Sequence, residues 1–133
     1  MRKNYPLKDK TIWITGASSG IGEALVYELS KRGCRLIISA RNEQRLGEVR
    51  ENSFDPHGIT VLPLDLTDEM AVKCAVEQVQ LLHEVDIVIH NAGVTARSLV
   101  ADTDEEIHRM VMETNFHGPT LLTRLLLPEM IKR

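Results

Sequence analysis

The stretch Thr11-Ile12-Trp13-Ile14-Thr15-Gly16-Ala17-Ser18-Ser19-Gly20-Ile21-Gly22 carries the fold. Its first five residues are a β-rich run. A helical pattern from about Ser19 to Arg32 follows, with Ile21, Ala24, Leu25 and Leu29 expected on one face. Glycines between a strand and a helix have a physical job: one permits a tight turn, one lets backbone approach a phosphate, and one lets helix and strand pack closely. The helix start behind them offers unpaired N–H groups and a partial positive charge, so the stretch predicts a pyrophosphate-binding turn rather than a merely flexible connection. A P-loop is excluded, because Glu23 stands where that loop needs a Lys followed by Ser or Thr.

Outward from this stretch the same rhythm repeats. Gly33 sits where a helix C-cap belongs, and Arg35 to Ser39 is a second strand. A polar helix from about Asn42 to Asn52, a turn at Asp55-Pro56-His57-Gly58 and a third strand from Ile59 to Leu64 come next. Thr67-Asp68-Glu69 predicts a hydroxyl-capped helix start, with Val72, Ala75, Val76, Val79 and Leu82 as its buried stripe. Asp86 to His90 is the fourth strand. Thr103-Asp104-Glu105-Glu106 reads as a capping box for a last helix carrying Ile107, Val111 and Thr114 on one side, and Gly118-Pro119 should end or kink it before Leu121, Leu122 and Leu125. The runs Leu36 to Ile38 and Ile87 to Ile89 are continuously apolar, as strands covered on both faces are. Alternating strands and helices mean right-handed crossovers and a parallel sheet, so the fold class is α/β.

The composition bounds the function. The 133 residues are 43% hydrophobic and 26% charged, enough for one core and one domain spanning 1–133. Sixteen basic against nineteen acidic side chains leave a net charge of -3, where a nucleic-acid binder normally shows a basic excess. No apolar run approaches the ~20 residues of a membrane helix, and MRKNYPLKDK lacks the apolar stretch of a secretory signal. Cys34 and Cys74 are isolated, with no His at ligand spacing, so no metal site is expected and a reduced, cytoplasmic compartment is the simplest reading.

Thr15 to Gly22, TGASSGIG, resembles the TGxxxGxG signature of the short-chain dehydrogenase/reductase family. Asp65-Leu66-Thr67 after the third strand, Asn91-Ala92-Gly93 after the fourth and Asn115 in the next helix match that family in order. The resemblance implies a Rossmann-type doubly wound parallel sheet, here truncated after about four strands in the order 3-2-1-4. It also implies a family reaction of hydride transfer between NADPH and a small-molecule carbonyl or alcohol. Cofactor contacts would come from Gly16, Ser18, Ser19, Gly20, Ile21 and Gly22. Asp65 would bond the adenine amino group with Leu66 beside the ring, while Asn91, Ala92 and Gly93 line the ribose and support the sheet. His90 departs from the family, which places another Asn there, and it reads as a strand-end packing residue.

The second strand ends in Ser39-Ala40-Arg41. A carboxylate at the Ala40 position would accept hydrogen bonds from both ribose hydroxyls and select NAD; the guanidinium of Arg41 instead suits the 2′-phosphate of NADP, with Arg45 one turn later able to assist. Glu43 is the alternative, serving an unphosphorylated ribose, and a solvated helix-start role is open for Arg41.

The family's reaction also uses a Ser and a Tyr-x-x-x-Lys, with Asn115 matching the residue whose backbone carbonyl holds a water of the proton relay. Tyr27-Glu28-Leu29-Ser30-Lys31 has the spacing, yet at about 100° per residue Tyr27 falls opposite the Ile21, Leu25 and Leu29 face and toward solvent. Tyr5 precedes the first strand. The expectation is therefore the amino-terminal, NADP(H)-binding part of an oxidoreductase, without turnover of its own. The alternative is a catalytically silent nucleotide-binding or dimerisation module, associating as a homo-oligomer through the leucine-rich stretch from Leu121 to Leu127 or an unpaired edge of the fourth strand.

Overall fold

The computed structural model describes residues 6–133, so Tyr5 lies outside the described residues. Four strands, β1 (Thr11–Thr15), β2 (Arg35–Ser39), β3 (Ile59–Val61) and β4 (Ile87–Ile89), form one parallel sheet in the order β3-β2-β1-β4. The helices α1 (Gly20–Lys31), α2 (Glu43–Glu51), α3 (Glu69–Leu82), α4 (Glu105–Met112) and α5 (Gly118–Lys132) complete the chain.

Alternation along the strands feeds two cores. Ile12, Ile14, Leu36 and Ile38 pack with Val26 and Leu29 of α1 and Leu46 and Val49 of α2. Trp13 and Ile37 point to the opposite face, against Val72, Val76 and Val79 of α3 and Leu122 and Leu126 of α5. Each fully buried aliphatic contributes roughly 1.5–3 kcal/mol relative to an exposed one, which is why the central strands tolerate so little polarity. Trp13 is fully buried, and its indole N–H is satisfied by the Ser39 hydroxyl at 2.9 Å.

Several elements depart from the sequence expectation. In α1 the buried face is Gly22, Val26, Leu29 and Ser30, whereas Ile21 is 74% exposed. Gly22 must touch the Gly16 backbone, and that contact rotates the helix so that positions i, i+4 and i+7 from Gly22 face the sheet. Tyr27 is consequently half-buried against the α1–α2 core rather than turned to solvent. β3 stops at Val61 because Pro63 has no N–H, although Leu62 and Leu64 still donate to the Ile38 and Ala40 carbonyls, each at 2.9 Å. α3 is capped by the Asp68 carboxylate, which accepts from Ala71 N–H at 3.0 Å, and Leu82 at its end is exposed. The expected capping box at Thr103 does not form: the helix begins one residue later, after Asp104, and the Thr103 hydroxyl donates to the Leu99 carbonyl at 2.8 Å.

Gly118-Pro119 does not end the helical run. A π turn at Glu113–His117 joins α4 to α5, and Pro119 falls in the first turn of α5, directly after that turn. Gly118 is buried against Leu66, so close that an added Cβ would overlap the Leu66 carbonyl and sit 2.8 Å from its Cβ. The leucines beyond it are divided: Leu122 and Leu126 are buried on α3, and Leu127 is exposed.

Two predictions follow from this packing. Gly118→Ala should destabilise the chain by about 1–3 kcal/mol, read as a lower urea midpoint with an unchanged m-value. The second concerns Asp86, whose carboxylate accepts the Thr11 N–H at 2.8 Å; this bond chiefly, with Lys10 and Arg133 adding their charge, holds its pKa below the usual range. A lowered folded pKa means stabilisation that is complete above the ordinary value of about 3.9 and is lost as pH falls through the folded value. Urea unfolding of Asp86→Asn should therefore show a shallower loss of stability below about pH 4 than the parent chain.

Candidate functional site

The carboxyl ends of parallel strands are where a doubly wound sheet leaves a crevice, at the point where the chain reverses from one side of β1 to the other. Here β2 lies on one side of β1 and β4 on the other, and a cleft of about 650 Å³ opens above them. Gly16, Ser18, Ser19 and Ile21 line it from the β1–α1 loop, Arg41 from the end of β2, Asp65 and Leu66 from beyond β3, and Asn91, Ala92 and Gly93 from beyond β4. Gly20, Gly22 and Asn115 do not line it. Thr15, Ser39 and Ala40 also line it, and Asn42, Leu64, Val94 and Thr114 complete parts of the wall that the sequence did not mark as site residues.

The loop owes its shape to three local facts. Gly16 and Gly20 have φ of +66° and +56°, the left-handed region that glycine enters without penalty. A side chain on Gly16 would come within 2.8 Å of the Ala92 backbone, and one on Gly22 would overlap the Gly16 carbonyl. Ala17 N–H, at the base of the loop, donates to the Ser39 carbonyl at 3.2 Å. The turn is thereby pinned to both neighbouring strands.

Thr15 is the organising hydroxyl. Its oxygen accepts the N–H groups of Asn91 and Ala92, each at 3.2 Å, and the Asn91 side-chain amide donates to the Gly16 carbonyl at 3.0 Å. The β4 loop is held against the glycine loop by these bonds. The signal was present in the sequence as the Thr that opens TGASSGIG, but its bonding partners lie about 75 positions away and only folding brings them in.

Ser19 occupies the N-cap of α1, yet its side chain bonds no backbone N–H. The first-turn amides of α1 thus face the cleft end without a capping acceptor, a donor set suited to an anion. At the other end, Asp65 Oδ1 accepts the Thr67 N–H and hydroxyl at 2.9 and 2.7 Å. These two bonds hold its pKa below the usual range, with Arg41 adding its charge. Asp65 closes a local turn rather than capping α3. Arg41 is exposed, while Arg45 is committed elsewhere, to Glu23, Glu48 and the Ser18 carbonyl. Open amides at the helix start, with a carboxylate, a guanidinium and the apolar Leu66 beyond β2 and β3, fit an adenine dinucleotide.

Asn115 lies in the π turn. Its side chain clamps the backbone of Val94, donating to the carbonyl and accepting from the N–H, both at 2.8 Å. Its own carbonyl has no α-helical donor, because position 119 is a proline. His90 is exposed and reaches across to α5, 2.7 Å from the Thr123 hydroxyl. The same hydroxyl lies 2.9 Å from the Pro119 carbonyl, so it ties His90 to the first turn of α5. Desolvation pushes the imidazole pKa below its usual value.

A family model for short chain dehydrogenases matches residues 10–133. The chain belongs to the short-chain dehydrogenase family. It is 41% identical over 138 residues to dehydrogenase/reductase SDR family member 7 of Homo sapiens, a match covering 99% of this chain and 41% of that protein. It is likewise 41% identical over 133 residues to dehydrogenase/reductase SDR family protein 7-like of Drosophila melanogaster, covering 96% of this chain and 41% of the relative. The chain therefore spans about two-fifths of the length of these relatives. Among solved structures, a short-chain dehydrogenase from Streptomyces avermitilis superposes with a TM-score of 0.88 at 31% identity, over 95% of this chain and 46% of that one. L-sorbose reductase from Gluconobacter frateurii, complexed with NADPH and L-sorbose, gives 0.88 at 28% identity over 96% and 49%. Family members bind nicotinamide cofactors, as that complex illustrates. Among the described residues no helix is long and apolar enough to cross a membrane.

The Asn115 clamp yields a prediction. Asn115→Ala should raise the hydrogen-exchange rate of the Val94 amide by at least about tenfold, because a bond anchoring the segment is lost, while amides in β1 stay protected.

Proposed function

We propose that this chain is the NADP(H)-binding part of a short-chain dehydrogenase/reductase that transfers hydride between NADPH and a carbonyl or alcohol of a small molecule. The observation that carries the reading is Arg41 on the cleft wall directly after Ala40, at the end of β2, where a carboxylate would select NAD. A guanidinium there meets a 2′-phosphate through paired charged hydrogen bonds, and Asp65, Leu66 and the β4 loop receive the adenosine. The open amides from Ser18 to Ile21 take the pyrophosphate.

The cofactor, when bound, supplies the hydride. The residues of this chain hold and orient its adenosine half and shield it with Leu66, Ala92 and Val94. Asn115, in the π turn, stands where the family's proton relay draws on a backbone carbonyl, and its side chain fixes the Val94 backbone beside it. Tyr27 and Lys31 lie on α1 and outside the cleft lining. The chain by itself is accordingly expected to bind NADPH without oxidising it.

Calorimetric titration tests the nucleotide assignment. Arg41→Ala should weaken NADPH binding by about 10–100-fold, the loss of one or two charge-assisted bonds, and leave NADH within a factor of about two. Equal losses for both coenzymes would overturn the preference for NADP.

A further inference from the structure

Arg45, expected from the sequence to assist Arg41, is instead tied to other partners. It leaves α2 one turn after Arg41, from a backbone held in place by the Asn42 side chain, which accepts the Arg45 N–H at 3.0 Å. Its guanidinium is fixed by three partners. Nη1 donates to Glu48 at 2.7 Å, and Nη2 donates both to Glu23, in the first turn of α1, and to the backbone carbonyl of Ser18 at 3.2 Å. An exposed pair of charges is worth little, but a planar fork held on several acceptors has a defined orientation.

The Ser18 bond has a geometric consequence. In a trans peptide the carbonyl and the following N–H point in opposite directions, so gripping the Ser18 oxygen from the α2 side turns the Ser19 N–H the other way. Ser18 and Ser19 both line the cleft, and Ser19 is the uncapped N-cap of α1. The Glu23 bond has an electrostatic consequence. A carboxylate in a helix's first turn suits the helix dipole but repels an anion at the same end, and the guanidinium offsets that repulsion.

Resting on the dinucleotide reading above, we propose that Arg45 is a positioning residue for the anion end of the cleft: it locks the Ser18–Ser19 peptide with its N–H facing the pyrophosphate and neutralises Glu23 beside it. Arg45 thus serves the part of the ligand that NAD and NADP share, while Arg41 serves the part in which they differ. The two arginines, one turn apart, divide recognition from selection.

The test compares NADPH and NADH dissociation constants for the 133-residue chain and its Arg45→Met and Arg45→Lys variants. Amide spectra report Ser19 during titration with inorganic pyrophosphate. Arg45→Met should weaken both coenzymes by about tenfold with their ratio unchanged, and should abolish the pyrophosphate-dependent shift of the Ser19 amide. Arg45→Lys, which keeps the charge but not the fork, should remain weakened for both. If Arg45→Met does not fold, Arg45→Lys and Glu23→Gln decide by the same ratio and the same resonance; Glu23→Gln should bind both coenzymes at least as well as the parent chain. Loss of NADPH binding alone would make Arg45 a direct 2′-phosphate ligand and overturn the proposal. So would unchanged binding of both coenzymes in a variant whose parent binds them. A parent chain that binds neither would overturn the dinucleotide reading itself.

Discussion

The site depends on one close approach of backbone to backbone, that of Gly22 on α1 against Gly16 at the end of β1. No side chain fits at Gly22 without striking the Gly16 carbonyl, and none fits at Gly16 without striking Ala92. Because the two glycines can meet, α1 starts directly over the end of the central strand, and its uncapped amides open on the cleft. The same contact rotates α1 so that Val26 and Leu29 enter one core and Ile21 is left exposed on the cleft wall.

Around that contact, polar groups are arranged so that each loop braces another. Thr15 holds Asn91 and Ala92, Asn91 holds Gly16, Ser39 holds Ala17, and Asn115 holds Val94. Hydrogen bonds of this kind stabilise modestly, about 1 kcal/mol each, but they fix where the open amides point. An anion site built from backbone donors gains from such rigidity, since the ordering is complete before the ligand arrives.

Electrostatics then divides the cleft by function. Asp65 lines the cleft beyond β3 and Glu23 lies behind it in the first turn of α1, and each is within reach of an arginine on or beside α2. Arg41 stays exposed beside the cleft, while Arg45 is tied down. Two side chains of the same type, one just before α2 and one in its first turn, therefore have different chemistry, decided by which acceptors surround them.

The strand–helix alternation, the parallel sheet and the glycine turn were legible in the chain itself, because continuous apolar runs such as Leu36 to Ile38 and glycines at fixed offsets are local signals. The residues from four separate loops that line one cleft were legible as motifs too, as Asp65-Leu66 and Asn91-Ala92-Gly93 were. Local pattern could not tell which way α1 faces, why Gly118 must be small, or whether Arg45 is available, since each answer lies in a partner distant in sequence: Gly16, Leu66 and the Ser18–Glu23 pair. Periodicity and composition determine that a helix forms and what it can bury; only the packed chain decides its rotation and the partners of its charges, because those depend on sterics and fields between segments that have no proximity until the sheet is assembled.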